Sequence, residues 1–119
     1  EPIQYALTYP KRMHLDMKHL DFKELLTLKF MPPRVDDFPA LNLAYEVGKI
    51  GGFKPAVFNA ANETAVYAFL DGKIIFSDIY KIVTAVLESM GRDDDFTLDN
   101  LLAIDQWARI KASEFINRR

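Results

Sequence analysis

His14 and His19, with Asp16 and Asp21 beside them, are the one place where this sequence sets imidazoles close to carboxylates. Such residue types can hold a divalent cation, but metal sites legible in sequence have a defined ligand spacing, and this one matches none. The two histidines therefore read as surface residues of a polar connecting segment. Asp93-Asp94-Asp95 puts carboxylates in a row. The run lacks the glycine and downstream glutamate of a calcium loop and reads as a solvated charge run. Lys11-Arg12 and Arg118-Arg119 are basic pairs, read as solvated groups rather than phosphate sites.

Asn59-Ala60-Ala61-Asn62-Glu63 is the most unusual run. Two amides and a carboxylate stand among small residues in an apolar neighbourhood. One reading makes Glu63 a general acid or base. The reading we favour is helix-start chemistry. Asn59 would be the N-cap, accepting from backbone N–H groups, and Glu63 would sit in the first turn near the positive end of the helix dipole. Ala60 and Ala61 would let a neighbouring helix approach closely. One carboxylate with no histidine or second acid nearby is a poor catalytic set. The sequence contains no GxGxxG, P-loop, GxSxG or HExxH pattern, so no phosphate cradle, nucleophile elbow or zinc-binding helix is signalled. We accordingly assign no catalytic, cofactor-binding or metal-binding residue to this chain.

Composition narrows the classes further. The chain has 119 residues, a net charge of −2 and no cysteine. Disulfides, thiolate nucleophiles, iron–sulfur clusters and cysteine-bound zinc are excluded. No basic excess marks a nucleic-acid footprint. No apolar run approaches the ~20 residues that cross a bilayer, and no secretory signal pattern is present. The first residue is Glu1 rather than Met, which leads us to expect a chain processed or cut from something longer.

The elements that would position these groups fall into two parts. Residues 1–37 hold four of the six prolines. Between Pro2 and Pro10, IQYALTY reads as the end of a helix that Pro10 stops. Residues 11–21 read as a linker. Leu26–Phe30 alternates apolar and polar at period two and reads as one short strand, whose backbone groups would need a partner outside this chain or in another copy. From residue 38 the period becomes 3.6. Pro39 suits a first helical turn, Ala40, Leu41, Ala44, Tyr45 and Gly48 share a face, and Gly51-Gly52 ends the first helix. The second carries Phe58, Ala61, Ala65, Ala68 and Phe69, begins at Pro55 or Asn59, and closes at Asp71-Gly72. The third has Ser77 as N-cap, the stripe Ile79, Ile82, Val83, Val86, Leu87 and Met90, and a stop at Gly91. The fourth starts at Thr97 and carries Leu101, Ile104, Ala108, Ala112 and Phe115, flanked by Leu98 and Trp107. Short connections imply a bundle. The expected fold is mainly α: a four-helix bundle preceded by an extended arm with one short strand.

Four stretches in order carry a family resemblance: PIQYALTYP (2–10), LDF and LTLKF (20–30), FPALNLAYE (38–46) and PAVFNAANE (55–63). Together with Phe76-Ser77-Asp78-Ile79 they resemble the C-terminal third of 1-deoxy-D-xylulose 5-phosphate reductoisomerases. The resemblance implies a parent homodimer of the bacterial cytoplasm or a plastid-type compartment, the former favoured. That parent would use NADPH and a divalent metal, Mg or Mn, to make methylerythritol phosphate for isoprenoids. It further implies that 1–10 is a remnant of the central catalytic domain, 11–37 a linker arm and 38–119 the C-terminal bundle. The family's cofactor loop, metal carboxylates and phosphate ligands have no counterpart here, so this stretch is expected to be inactive, with a structural role against the central catalytic domain. A different class, a stand-alone helical protein-interaction module using Leu25–Phe30 and the bundle face, is the alternative. A small helical enzyme built on Glu63 is the least favoured.

Overall fold

The computed structural model describes residues 2–14, 21, 23, 27–91 and 95–118. These form α1 (Pro2–Thr8), α2 (Ala40–Ile50), α3 (Lys54–Leu70), α4 (Phe76–Glu88) and α5 (Leu98–Asn117). The chain divides into two compact units, Glu1–Pro32 and Pro33–Arg119.

In the first unit α1 ends ahead of Pro10, as expected from proline's missing N–H. The following segment folds back onto it. Gln4 Nε2 donates to the Met13 carbonyl at 2.9 Å, and the Lys11 N–H to the Thr8 carbonyl at 2.9 Å. The Arg12 guanidinium stacks 4.8 Å from the Tyr5 ring centre. The strand expected over Leu26–Phe30 is not formed. Residues 27–30 carry no regular structure, and Leu26 lies outside the described residues. A strand exists only as part of a hydrogen-bonded ladder, and the described residues supply no second strand. Alternation thus marks a segment without supplying its partner, and Leu28 and Phe30 stand 80% and 90% exposed.

The second unit is the expected bundle of α2–α5. Helix α3 lies at its centre and packs on α2, α4 and α5, and α4 also packs on α5. The core joins Val57, Ala60, Ala61, Ala65 and Ala68 of α3 to Ile82, Val83 and Val86 of α4 and to Ala108 and Ala112 of α5. Alanines on both α3 and α5 remove the side-chain bulk that would hold the axes apart, so these helices meet along small residues. Ile79, Leu87, Met90, Ile104, Trp107 and Phe115 pack around this core.

Helix ends follow local chemistry, with corrections. Thr97 caps α5, its Oγ1 accepting from the Asn100 N–H at 3.2 Å. Gly51 and Gly72 follow α2 and α3 with a positive φ of 72°, which glycine adopts because it has no Cβ. Helix α3 begins at Lys54 with Pro55 in its first turn, so Asn59 lies more than a turn inside and does not cap. Proline pre-set for the first turn wins over the amide four residues later. Ile75, not Ser77, holds the cap position of α4. There the Asp78 N–H donates to the Ile75 carbonyl at 3.0 Å, and Asp78 Oδ2 accepts from the Ile75 N–H at 3.4 Å. Helix α4 ends at Glu88, ahead of Gly91. The largest correction concerns α2. Its core-facing residues are Val47 and Leu43, whereas Leu41 and Tyr45 of the expected face are 38% and 66% exposed.

Candidate functional site

Because α3 is helical throughout the Asn59–Glu63 run, successive side chains turn by about 100° and go to different surroundings. Asn59 is exposed. Ala60 and Ala61 are fully buried in the core, so their role in close helix approach holds. Asn62 borders a cleft. Glu63 reaches α5, where its Oε2 lies 2.7 Å from Arg109 Nη2.

Arg109 is shared between two carboxylates. Its Nε donates to Asp105 Oδ2 at 2.8 Å and its Nη2 to Asp105 Oδ1 at 3.4 Å, one turn back on the same helix. Hydrogen bonds donated to Asp105 first, then to Glu63, hold the guanidinium charged well above its ordinary range. The group is a cross-link between α3 and α5 rather than a proton relay, since an arginine does not surrender its proton in ordinary conditions. Further along α5, the Glu114 carboxyl is held below its usual range by its hydrogen bond from Lys111. That contribution is present above the ordinary carboxylate range and is lost as pH falls through the lowered value.

The cleft beside Asn62 opens between the start of α2, α3 and α4. It has a volume of about 440 Å³ and walls that include Phe38, Val66, Phe76 and Tyr80. Phe76 meets Phe38 and Phe69 edge to face, at 6.4 Å and 5.9 Å between ring centres. The Asn62 carboxamide has no hydrogen-bond partner among the described residues. At the rim Asp37 pairs with Arg34 at 3.0 Å and Lys81 with Asp78 at 3.2 Å, while the Asp36 carboxylate has no partner among the described residues. An apolar hollow with one free amide suits binding. Ser77 also lines it, with no imidazole among the lining residues to activate its hydroxyl. Sequence reasoning passed over this cleft. Its available signal was a pair of aromatics, Phe38 before Pro39 and Phe76 at the start of α4, that belong to neither predicted stripe.

The other candidates stay apart. His14 is exposed and His19 lies outside the described residues. Asp21 Oδ1 accepts from the Lys23 N–H at 2.9 Å. Asp93 and Asp94 lie outside the described residues, and the Asp95 carbonyl accepts from Asn100 Nδ2 at 2.8 Å. Among the described residues no three His, Asp or Glu side chains converge on one point. The Arg118 guanidinium lies 5.8 Å from the Phe115 ring centre and 3.9 Å from Glu114.

The class that Pro33–Arg119 defines is a small four-helix bundle with an apolar cleft between the start of α2, α3 and α4. The chain belongs to the DXP reductoisomerase C-terminal domain family, whose model matches residues 1–111. It is 48% identical over 115 residues to 1-deoxy-D-xylulose 5-phosphate reductoisomerase of Desulforamulus reducens, covering 97% of this chain and 30% of that protein. Against 1-deoxy-D-xylulose 5-phosphate reductoisomerase 1 of Bacillus cereus the identity is 44% over 118 residues, 99% of this chain and 31% of the relative. The solved structure of the Zymomonas mobilis reductoisomerase in complex with NADPH superposes with a TM-score of 0.83 at 47% identity, over 97% of this chain and 30% of that one. A DOX-P reductoisomerase in complex with NADPH, fosmidomycin and magnesium gives a TM-score of 0.83 at 35% identity, over 98% of this chain and 31% of that one. This chain thus spans about 30% of the length of the relatives it matches.

Proposed function

We propose that this chain is the C-terminal structural domain of a 1-deoxy-D-xylulose 5-phosphate reductoisomerase. The whole enzyme would isomerise and reduce 1-deoxy-D-xylulose 5-phosphate to 2-C-methyl-D-erythritol 4-phosphate with NADPH, in the non-mevalonate route to isoprenoids. The observation that carries this reading is the match of nearly the whole chain, in sequence and in fold, to proteins of that name. Residues 1–10 would close the central catalytic domain, 11–37 would be the linker arm, and 38–119 the bundle that braces that domain. The exposed apolar side chains of the first unit, among them Ile3, Leu7, Leu28 and Phe30, support an arm whose partners lie elsewhere. A homodimeric parent in the bacterial cytoplasm completes the reading. The bacterial source of the relatives supports the compartment.

The NADPH and magnesium named with relatives do not fit the residues present. The described side chains offer no converging oxygen or nitrogen ligand set, and the cleft beside Asn62 is lined mainly by apolar groups. We therefore assign neither group to this chain and derive no chemical step here. The test is NADPH oxidation with 1-deoxy-D-xylulose 5-phosphate and Mg²⁺ or Mn²⁺. The full-length gene product is expected to turn over and the 119-residue chain to be silent. Turnover by the short chain would overturn the structural role, and an inert full-length product would overturn the family activity.

A further inference from the structure

The cleft between the start of α2, α3 and α4 combines features for which the bundle has no use. Phe38 and Phe76 touch each other yet remain 46% and 58% exposed. Asn62 brings a carboxamide to the same hollow without a hydrogen-bond partner among the described residues. Ala40 of α2 also lines the hollow, and Leu41 and Tyr45 further along that helix are exposed. Scattered exposed apolar residues are ordinary, but an aromatic-walled hollow beside an apolar helix face marks an interaction surface.

We infer that this cleft seats a segment of the polypeptide preceding residue 1, with an apolar side chain against the exposed faces of Phe38 and Phe76 and a backbone peptide group on the Asn62 carboxamide. The inference rests on the reading of this chain as the C-terminal part of a larger enzyme. A carboxamide presents both donors and an acceptor, which matches the C=O and N–H of a peptide. An anionic ligand would find no free cation in the lining, since Lys81 is paired by Asp78, and would meet the carboxylates of Asp36 and Asp37. The choice of occupant follows from chain length. More than two thirds of each relative lies outside the matched stretch. A segment tethered on the same chain acts at an effective concentration of order millimolar, which favours it over a second copy making equal contacts.

The chain has no cysteine, so Ser77→Cys places a thiol at the mouth of the cleft. Its labelling by iodoacetamide, followed by peptide mass mapping, reads whether the cleft is covered. Labelling is expected to be slower by about tenfold or more in the full-length protein than in the short chain, as for a site that reacts only on local opening. In the short chain the rate should not depend on protein concentration. Adding Asn62→Leu should raise the full-length rate several-fold while leaving the melting temperature of the short chain unchanged. Equal labelling of both forms, in a full-length protein that still oxidises NADPH, overturns the seat and leaves the functional reading standing. Slowing in the short chain as its concentration rises overturns it in favour of a second copy. A full-length product that labels fast and lacks turnover overturns the functional reading itself. An unchanged rate on adding Asn62→Leu removes the amide from the seat.

Discussion

Helix α4 turns its apolar side chains into the bundle, with Ile82, Val83 and Val86 buried against α3 and α5, whereas α2 buries Val47 and leaves Leu41 and Tyr45 outside. Both helices are amphipathic in sequence. They differ in how many sides are apolar. The apolar residues of α4 occupy one stripe opposite Lys81 and Glu88. Those of α2 wrap most of the way round, from Leu43 and Val47 through Ala40 and Ala44 to Leu41 and Tyr45. Only Asn42, Glu46 and Lys49 form a polar side. One neighbour can cover a stripe of about 100°. A wider arc meets its own bundle on one side and leaves the other for a second surface. A periodic pattern therefore locates apolar surface reliably and leaves its partner open.

The sharpest way to break this comparison is to place the same charge on both helices. Val86→Asp puts a carboxylate where the residue is fully buried. It should cost on the order of 3 kcal/mol or more, enough to abolish a cooperative thermal transition by circular dichroism. Leu41→Asp should cost the short chain less than about 1 kcal/mol. Comparable losses would mean that the outward face of α2 is covered within this chain.

A smaller effect separates Thr97, which caps α5, from Asn59, which lies inside α3. Thr97→Ala should lower stability by ~0.5–2 kcal/mol, because its hydroxyl accepts a backbone N–H. Asn59→Ala, exposed inside α3, should change it by less than about 0.5 kcal/mol. Urea midpoints measured on both variants make the comparison, and a larger loss at Asn59 would restore it as an anchor.

The smallest expected change is at Glu63→Gln. Its pair with Arg109 joins α3 to α5, but the two side chains are 43% and 40% exposed, so solvent leaves it worth only ~0.2–1 kcal/mol. The difference from the parent sequence should shrink in high salt. In the full-length enzyme the pH–rate profile should stay in place. A displaced pKa there would give Glu63 a chemical role and undo its assignment as a cross-link.

The third and fourth predicted stripes were legible because one side chain in three or four repeats on a single face, and Ile82, Val86, Ala108 and Ala112 all lie in the core. The Thr97 cap was legible because it depends on a hydroxyl and an amide a few residues apart. The start of α3 was less so, since Pro55 and Asn59 each satisfy a local rule and only the packed helix chooses between them. The Glu63–Arg109 pair lies 46 residues apart in sequence and had no local signal. The cleft had little more, as its walls come from three helices.

What the sequence by itself determined is therefore the set of short-range quantities: helical period, two of the glycine stops, the α5 cap, and the lack of thiols and cofactor loops. These depend on residues within a turn or two of each other, where backbone geometry alone sets the spacing. Which side of α2 meets the core, that Asn62 and Glu63 part company, and that Phe38 and Phe76 enclose a hollow were decided only by tertiary structure. Each depends on where another helix comes to lie, and burial and long-range pairing are gained only when separate elements pack together.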